Sequence, residues 1–401
     1  MERVVYLDNN ATTRVADDVK LEMDRFFSQL YGNPSSMHFF GGQVQKYIDD
    51  AREKVASLIG ANPQEIIFTS CGTESNSTAI YSAIRSNPDK KHIVTTSVEH
   101  PSVLNLCRYL ETQGYRVSYL SVNEDGMLDM NELERAITFD TAVVSVMWAN
   151  NETGVIYPVE EIAEICKKKG VIFHTDAVQA VGKIPINMAS NKIDMLSASA
   201  HKLHAPKGIG FLYVRKSTPF VPFMLGGHQE RGRRAGTENV PYIVGLGKAC
   251  ELAKINMERE NNYVRKLRDM IEESVFSRID NIRINGKNAP RLPNTSSISF
   301  GYVEGESIIL MLSEKGICAS TGSACSSGSL EPSHVLMAMR IPMIYAHGTV
   351  RFSLSIYNTE DDVRYLVDIL VDVIKKLRDI SPFAEGKELF EIKTHKTHHY
   401  H

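Results

Sequence analysis

A chain of 401 residues is too long for one ordinary hydrophobic core and predicts two domains folded together. Hydrophobic residues at 43% against charged residues at 23% describe a soluble globular protein, and a formal net charge of −3 lacks the basic excess that nucleic acid or an anionic membrane recruits. No apolar run approaches the ~20 residues of a membrane-spanning helix, and residues 1–8 contain no apolar signal core, so a cytoplasmic location is expected.

The chain opens directly into a strand. Ile66–Thr69 then reads as a strand followed by a helix from Glu74 to Arg85, Ile93–Thr96 as a strand followed by a helix over Pro101–Thr112, and Val117–Leu120 as the next strand. Ala142–Met147 is a Val-rich strand, and Val159–Lys169 has helical spacing that stops at Gly170. Val171–His174, Met195–Ala198 and Ile209–Val214 are further short apolar runs. This alternation predicts an α/β fold with a mainly parallel sheet covered by helices on both faces, whose ligands sit at the carboxyl ends of the strands. From Val240 a long helical pattern runs toward Phe276. Strands at Ile282–Ile284, Ser296–Phe300 and Thr349–Ser353 and a last helix over Glu360–Arg378 then make a smaller α+β unit. The expected division is a large domain over 15–255, a small domain built from 1–14 and 256–380, and a polar tail over 381–401.

Three segments carry chemistry. Ser199-Ala200-His201-Lys202 follows a buried strand, and a lysine desolvated among small residues suits a Schiff-base role, because a lowered pKa frees its amine to attack an aldehyde. Upstream, an apolar strand ends in Asp176, with Gln179 three residues on. A buried carboxylate there would keep the ring nitrogen of pyridoxal phosphate protonated, although an aspartate after a strand also serves as a helix N-cap. Thr69-Ser70-Cys71-Gly72-Thr73-Glu74 joins a strand to a helix start, where Gly72 lets the backbone approach a phosphate and the positive helix end attracts it. His100, after the strand Ile93–Thr96, is placed to stack on a cofactor ring.

The six cysteines are scattered with no CxxC pair, which argues against a disulfide framework or a structural zinc site. Cys325 differs from the rest, because it sits in a run of Gly, Ser and Ala (residues 316–329) with almost no side chain to anchor it. Such a loop should be mobile and its thiol exposed and reactive, whereas Cys318 reads as a filler.

The ordered motifs at residues 7–13, 31–36, 71–76, 97–102, 150–154, 176–179, 199–202 and 234–239 resemble those of the NifS/IscS cysteine desulfurases, in the class V aminotransferase family of fold type I. The resemblance runs to about Ile374. It implies a large domain with a mainly parallel seven-stranded sheet, and pyridoxal 5′-phosphate carried on Lys202 with Asp176 at the ring nitrogen. Gln179 and Asn151 would orient the ring oxygen and substrate, His100 would stack on the ring, and Gly72, Thr73, Ser199 and His201 would hold the phosphate. Thr237 would reach the phosphate site of a second subunit in a homodimer. Arg351 would grip the carboxylate of L-cysteine, with Asn10 nearby. Cys325 would take the sulfur as a persulfide, leaving L-alanine. The cysteine loop resembles the group that donates to iron–sulfur scaffold proteins, where Cys325 would share an iron–sulfur contact, and residues 346–355 lean toward the NifS branch. A selenocysteine lyase and a same-fold aminotransferase are the alternatives. The tail Lys393–His401, rich in histidine, has no counterpart in that pattern and reads as a disordered polar end.

Overall fold

Short Val-, Ile- and Phe-rich runs become strands because they fit a pleated surface buried on both faces. The computed structural model describes residues 3–321 and 332–381. In chain order the strands are β1 (Val5–Tyr6), β2 (Ile66–Thr69), β3 (His92–Thr96), β4 (Arg116–Leu120), β5 (Thr141–Ser145), β6 (Ile172–Asp176), β7 (Met195–Ser199), β8 (Gly210–Val214), β9 (Ile282–Ile284), β10 (Thr295–Phe300), β11 (Ile317–Cys318) and β12 (Thr349–Ser353). Seven of them form one sheet in the order β2-β8-β7-β6-β5-β3-β4. Only β8 runs against its neighbours; the other pairings in this sheet are parallel, as expected.

The helices Pro101–Thr112 and Val159–Lys169 have the expected bounds. The strand expected to reach Met147 ends at Ser145, although Val146 and Trp148 still donate backbone hydrogen bonds to His174 and Asp176. The long helical pattern after Val240 is interrupted. Helix Val240–Ile255 gives way at Asn256 to Met257–Arg259, a π-helical turn Glu260–Val264 and then helix Arg265–Arg278. On Val240–Ile255 a Cβ added to Gly247 would lie 2.6 Å from Ala51 Cα, so that glycine sets how closely the helix packs on helix Gln45–Ile59.

A second sheet, β12-β10-β9, is antiparallel and has its own core. Leu267, Ile271 and Val275 from one helix and Leu366, Leu370 and Val373 from helix Glu360–Ile380 close over Ile298, Phe300, Val350 and Phe352. Val5 and Leu7 join this core, with β1 lying parallel to β11. Leu292, Val335, Leu336, Met339 and Ile341 instead pack into the core of the large sheet, so the late chain contributes to both layers.

The outer edge of β2 is covered by an ion pair. Arg52 meets Glu230 through two hydrogen bonds of 2.7 Å, both side chains being buried. Arg52 also donates to Ile66 O, and Glu230 accepts from Phe68 N–H, which satisfies edge groups that would otherwise be open to pairing. Arg52→Met should leave a buried carboxylate uncompensated and lower stability by about 3–5 kcal/mol, read as a fall in the urea unfolding midpoint.

Within the sheet, His174 of β6 bridges Ser145 Oγ of β5 and Ser197 Oγ of β7 at 2.9 Å each, and burial holds its pKa down at about 3. The unfolded chain therefore binds a proton at this site between the ordinary histidine range and about pH 3, while the folded chain does not. Stability is present above pH ~6.5 and is lost as pH falls, and His174→Gln should flatten that limb in thermal melts between pH 7 and 4.5.

Candidate active site

The segments following β2, β3, β5, β6 and β7 emerge at the carboxyl ends of these strands, where a cavity of about 280 Å³ opens. Its wall brings together Gly72, Thr73, His100, Asn151, Asp176, Gln179, Ser199, His201 and Lys202, with Asn10 from the chain start and Arg351 from β12. Thr237 lies elsewhere, in a cleft of about 220 Å³ with Ser70, Gly208 and Arg234. Cys325 and the tail Lys393–His401 lie outside the described residues.

Asp176 ends β6 with its side chain almost fully buried. Its Oδ2 accepts from Asn76 Nδ2 at 2.7 Å and its Oδ1 from the backbone N–H of Val178 at 3.0 Å. Asn76 also donates to Ser102 Oγ at 2.9 Å, and that hydroxyl sits 2.8 Å from His100 Nδ1. Ser102 N–H donates to His100 Nδ1 as the ring caps helix Pro101–Thr112, so in the neutral ring the proton resides on Nε2. Burial pulls the His100 pKa down, with Asp176 working against it and Lys202 and His334 with it, and the ring is neutral near pH 7.

Lys202 Nζ donates to the carbonyls of Asn10 at 2.5 Å and Ala11 at 2.7 Å. Beside it His201 is held down at about 4 by burial, with Lys202, Lys207 and Lys183 adding to the effect, and its Nδ1 lies 3.2 Å from Thr12 Oγ1. Helix Gly72–Ser86 starts at the opposite wall with no side chain capping its amino end, so its first N–H groups face the cavity with the positive end of the helix dipole. A Cβ on Gly72 would come within 2.8 Å of Val178 Cγ2, so only glycine permits this approach.

Arg351 is buried, pairs with Asp8 Oδ1 at 2.8 Å and donates to Asn151 O at 2.9 Å. Its Nε is buried with no partner, which leaves one edge of the guanidinium able to take a carboxylate oxygen. The two sides of segment 322–331 meet the same cavity wall. Ser320 exchanges backbone hydrogen bonds with Arg351, and Ser333 Oγ donates to Glu152 Oε2 next to Asn151.

Asn76, Ser102 and Cys71 also line the cavity, though only their motifs stood out in the sequence. Asn76 lies four residues after Gly72, one turn along the same helix face, and that spacing was the available signal. Cys107, Cys166 and Cys250 are buried with their thiol pKa values pushed up by burial, and Cys318 is half-buried with the same direction of shift. Among the described residues no cluster of three or more His, Cys, Asp or Glu side chains could hold a metal ion, and no helix is long and apolar enough to cross a membrane.

The chain is similar to known proteins. The aminotransferase class-V family profile matches residues 5–366. A cysteine desulfurase from Nostoc sp. is 56% identical over 96% of each chain, and the cysteine desulfurase NifS from Azotobacter vinelandii is 54% identical over 95% of each. A solved structure described as a NifS-like protein superposes with a TM-score of 0.88 at 40% identity, covering 94% of this chain and all of the other. The chain belongs to the class-V aminotransferase family, within its cysteine desulfurases.

Asn76 supplies a sharp test of the site's electrostatics. Asn76→Asp would set a second carboxylate at hydrogen-bond distance from Asp176, and the pair should bind one proton more tightly than an isolated carboxyl. A folded-state pKa raised in this way loses stability as pH rises, so the deficit in Tm against the parent should be larger at pH 8 than at pH 5.

Proposed function

We propose that this chain binds pyridoxal 5′-phosphate on Lys202, takes sulfur from L-cysteine to leave L-alanine, and holds that sulfur as a persulfide on Cys325. An iron–sulfur scaffold protein is the proposed acceptor, with any iron–sulfur contact at Cys325 shared with that partner. The observation carrying this reading is the shared cavity, in which Lys202 and the buried carboxylate of Asp176 sit with an uncapped helix amino end. The donor set fits the cofactor. Asp176 can hold a pyridinium N–H; the first turn of helix Gly72–Ser86, with Thr73, Ser199 and His201, suits a phosphate; and Gln179 can face a ring oxygen.

Bound there, pyridoxal phosphate supplies an electron sink for the charge left when the substrate's α-proton departs. The protein's part is placement. Arg351 would take the substrate carboxylate in exchange for its contact with Asp8; Asn151 and Asn10 would flank the amino acid, and neutral His100 would stack on the ring. Lys202, which here donates to the Asn10 and Ala11 carbonyls, would serve as the base for the substrate's α-proton once released from them. Cys325 must reach the substrate sulfur as a thiolate, because only the ionised form attacks sulfur efficiently. Ser320 and Ser333 begin and end the intervening chain at the cavity wall.

Thr237 faces a cleft away from Lys202, which supports a role at another subunit's site and hence a homodimer. The separate core over β9, β10 and β12 supports the division at 15–255 against 1–14 with 256–380.

Three measurements test this reading. Protein given pyridoxal phosphate and L-cysteine under reductant should release alanine and sulfide in equal amounts, and borohydride reduction should place the pyridoxyl label on Lys202. Amino-group transfer to a keto acid without sulfide would identify a same-fold aminotransferase instead. Cys325→Ser should retain the cofactor yet lose radiolabelled sulfur from the loop peptide, with Cys318→Ser close to the parent. Label persisting in Cys325→Ser would assign the sulfur to a different thiol.

A further inference from the structure

Behind the candidate cofactor site, on the far side of Lys202, lies a second cavity of about 270 Å³. Two oppositely charged side chains that the proposed chemistry does not use, Lys183 and Glu260, face into it and are almost completely buried. Burial pulls the Lys183 pKa down and pushes that of Glu260 up, while each charge favours the ionised form of the other. Glu260 opens the π-helical turn that breaks the long helical pattern, and Asn261 in the same turn donates to the Lys183 carbonyl at 3.0 Å. The irregular turn therefore holds the lysine's backbone and supplies its counter-charge. π-Helical turns are rare and concentrate at functional sites.

The lysine points at the cofactor site through one residue. Lys183 Nζ donates to Gln179 Oε1 at 2.8 Å, and Gln179 Nε2 donates to Asn10 O at 3.1 Å. An ammonium can only donate and a backbone carbonyl can only accept. A flipped carboxamide would set its NH₂ against the ammonium and its oxygen against the Asn10 carbonyl, losing both hydrogen bonds. Both neighbours thus dictate the same orientation. One N–H of Gln179 is used by Asn10, and the second is left for the cavity that Gln179 lines.

We propose that Lys183 is a positioning residue that locks the Gln179 carboxamide with an N–H facing the candidate cofactor site, so that the site selects a ring bearing an oxygen anion beside the aldehyde. This inference rests on the pyridoxal phosphate reading and adds to it the reason why Gln179 acts as a donor.

The test compares the parent, Lys183→Met, Lys183→Arg, Gln179→Ala and the Lys183→Met/Gln179→Ala double variant as full chains loaded with pyridoxal phosphate. The readouts are the visible absorbance band and the dissociation constant of the cofactor. Losing one oriented hydrogen bond should weaken retention in Lys183→Met about tenfold, with a shifted absorbance band. Lys183→Arg should restore most of both, because a guanidinium also only donates. The double variant should be no worse than Gln179→Ala alone, since Lys183 acts through Gln179. If Lys183→Met folds poorly, Lys183→Gln serves in its place, because it keeps polarity but can present either end of its amide. Unchanged absorbance and retention in the Lys183 variants, or losses that multiply in the double variant, would overturn the positioning role. A parent chain that takes up no pyridoxal phosphate would overturn the cofactor reading itself, and the inference with it.

Discussion

A carboxylate buried as deeply as Asp176 is tolerable only with hydrogen-bond partners in place, since an unpaired charge in a low-dielectric interior is strongly destabilising. Its two partners come from different elements, Asn76 from the helix after β2 and the Val178 N–H from the turn after β6. Asn76 then fixes Ser102, and Ser102 fixes His100. Satisfying one charge thus sets the spacing between the helix Gly72–Ser86, the end of β6 and the helix Pro101–Thr112, and with it the width of the cavity.

The opposite wall depends on a strap from the chain start. β1 pairs with β11 in the smaller layer, and residues 8–11 then cross to the large sheet. There Asn10 and Ala11 offer their carbonyls to Lys202, and Asn10 accepts from Gln179 as well. The Asn10 side chain donates to Thr295 in β10 and to the Asn151 carbonyl, so the strap joins both layers. Two backbone carbonyls of the strap thus hold the Lys202 ammonium at the cavity wall.

Arg351 joins the two layers from the other direction. Its place in β12, opposite Ser297 of β10, aims it at the cavity, and its hydrogen bonds to Asp8 and Asn151 bind the strap to the loop after β5. The chain that carries Cys325 departs and returns beside the same arginine and the same loop. Residues proposed to hold the amino acid and residues that flank the cysteine segment are therefore mechanically connected.

The amino-acid order by itself settled the large sheet, because strands buried on both faces need continuous apolar runs and parallel crossings need helices between them. It also marked Lys202, Asp176, His100, Gly72 and Thr73, which end or follow strands, where ligand-facing residues of such sheets are found. Arg351, Asn10 and Asn151 came from motif resemblance, since nothing local distinguishes a buried arginine in a strand from one at a surface. What only the tertiary structure decided was the set of partners. Asn76 meets Asp176 across 100 positions and Asn10 meets Thr295 across 285, and no periodicity encodes a hydrogen bond between elements so far apart. The break in the long helix after Val240 was hidden for a related reason. Its apolar spacing stays helical, and the π-helical turn carries a buried Glu260 whose charge is opposed by that of Lys183, 77 positions earlier in the chain. Local propensity determines which elements form, whereas long-range polar pairing, set by burial of charge, determines where they bend and which side chains meet.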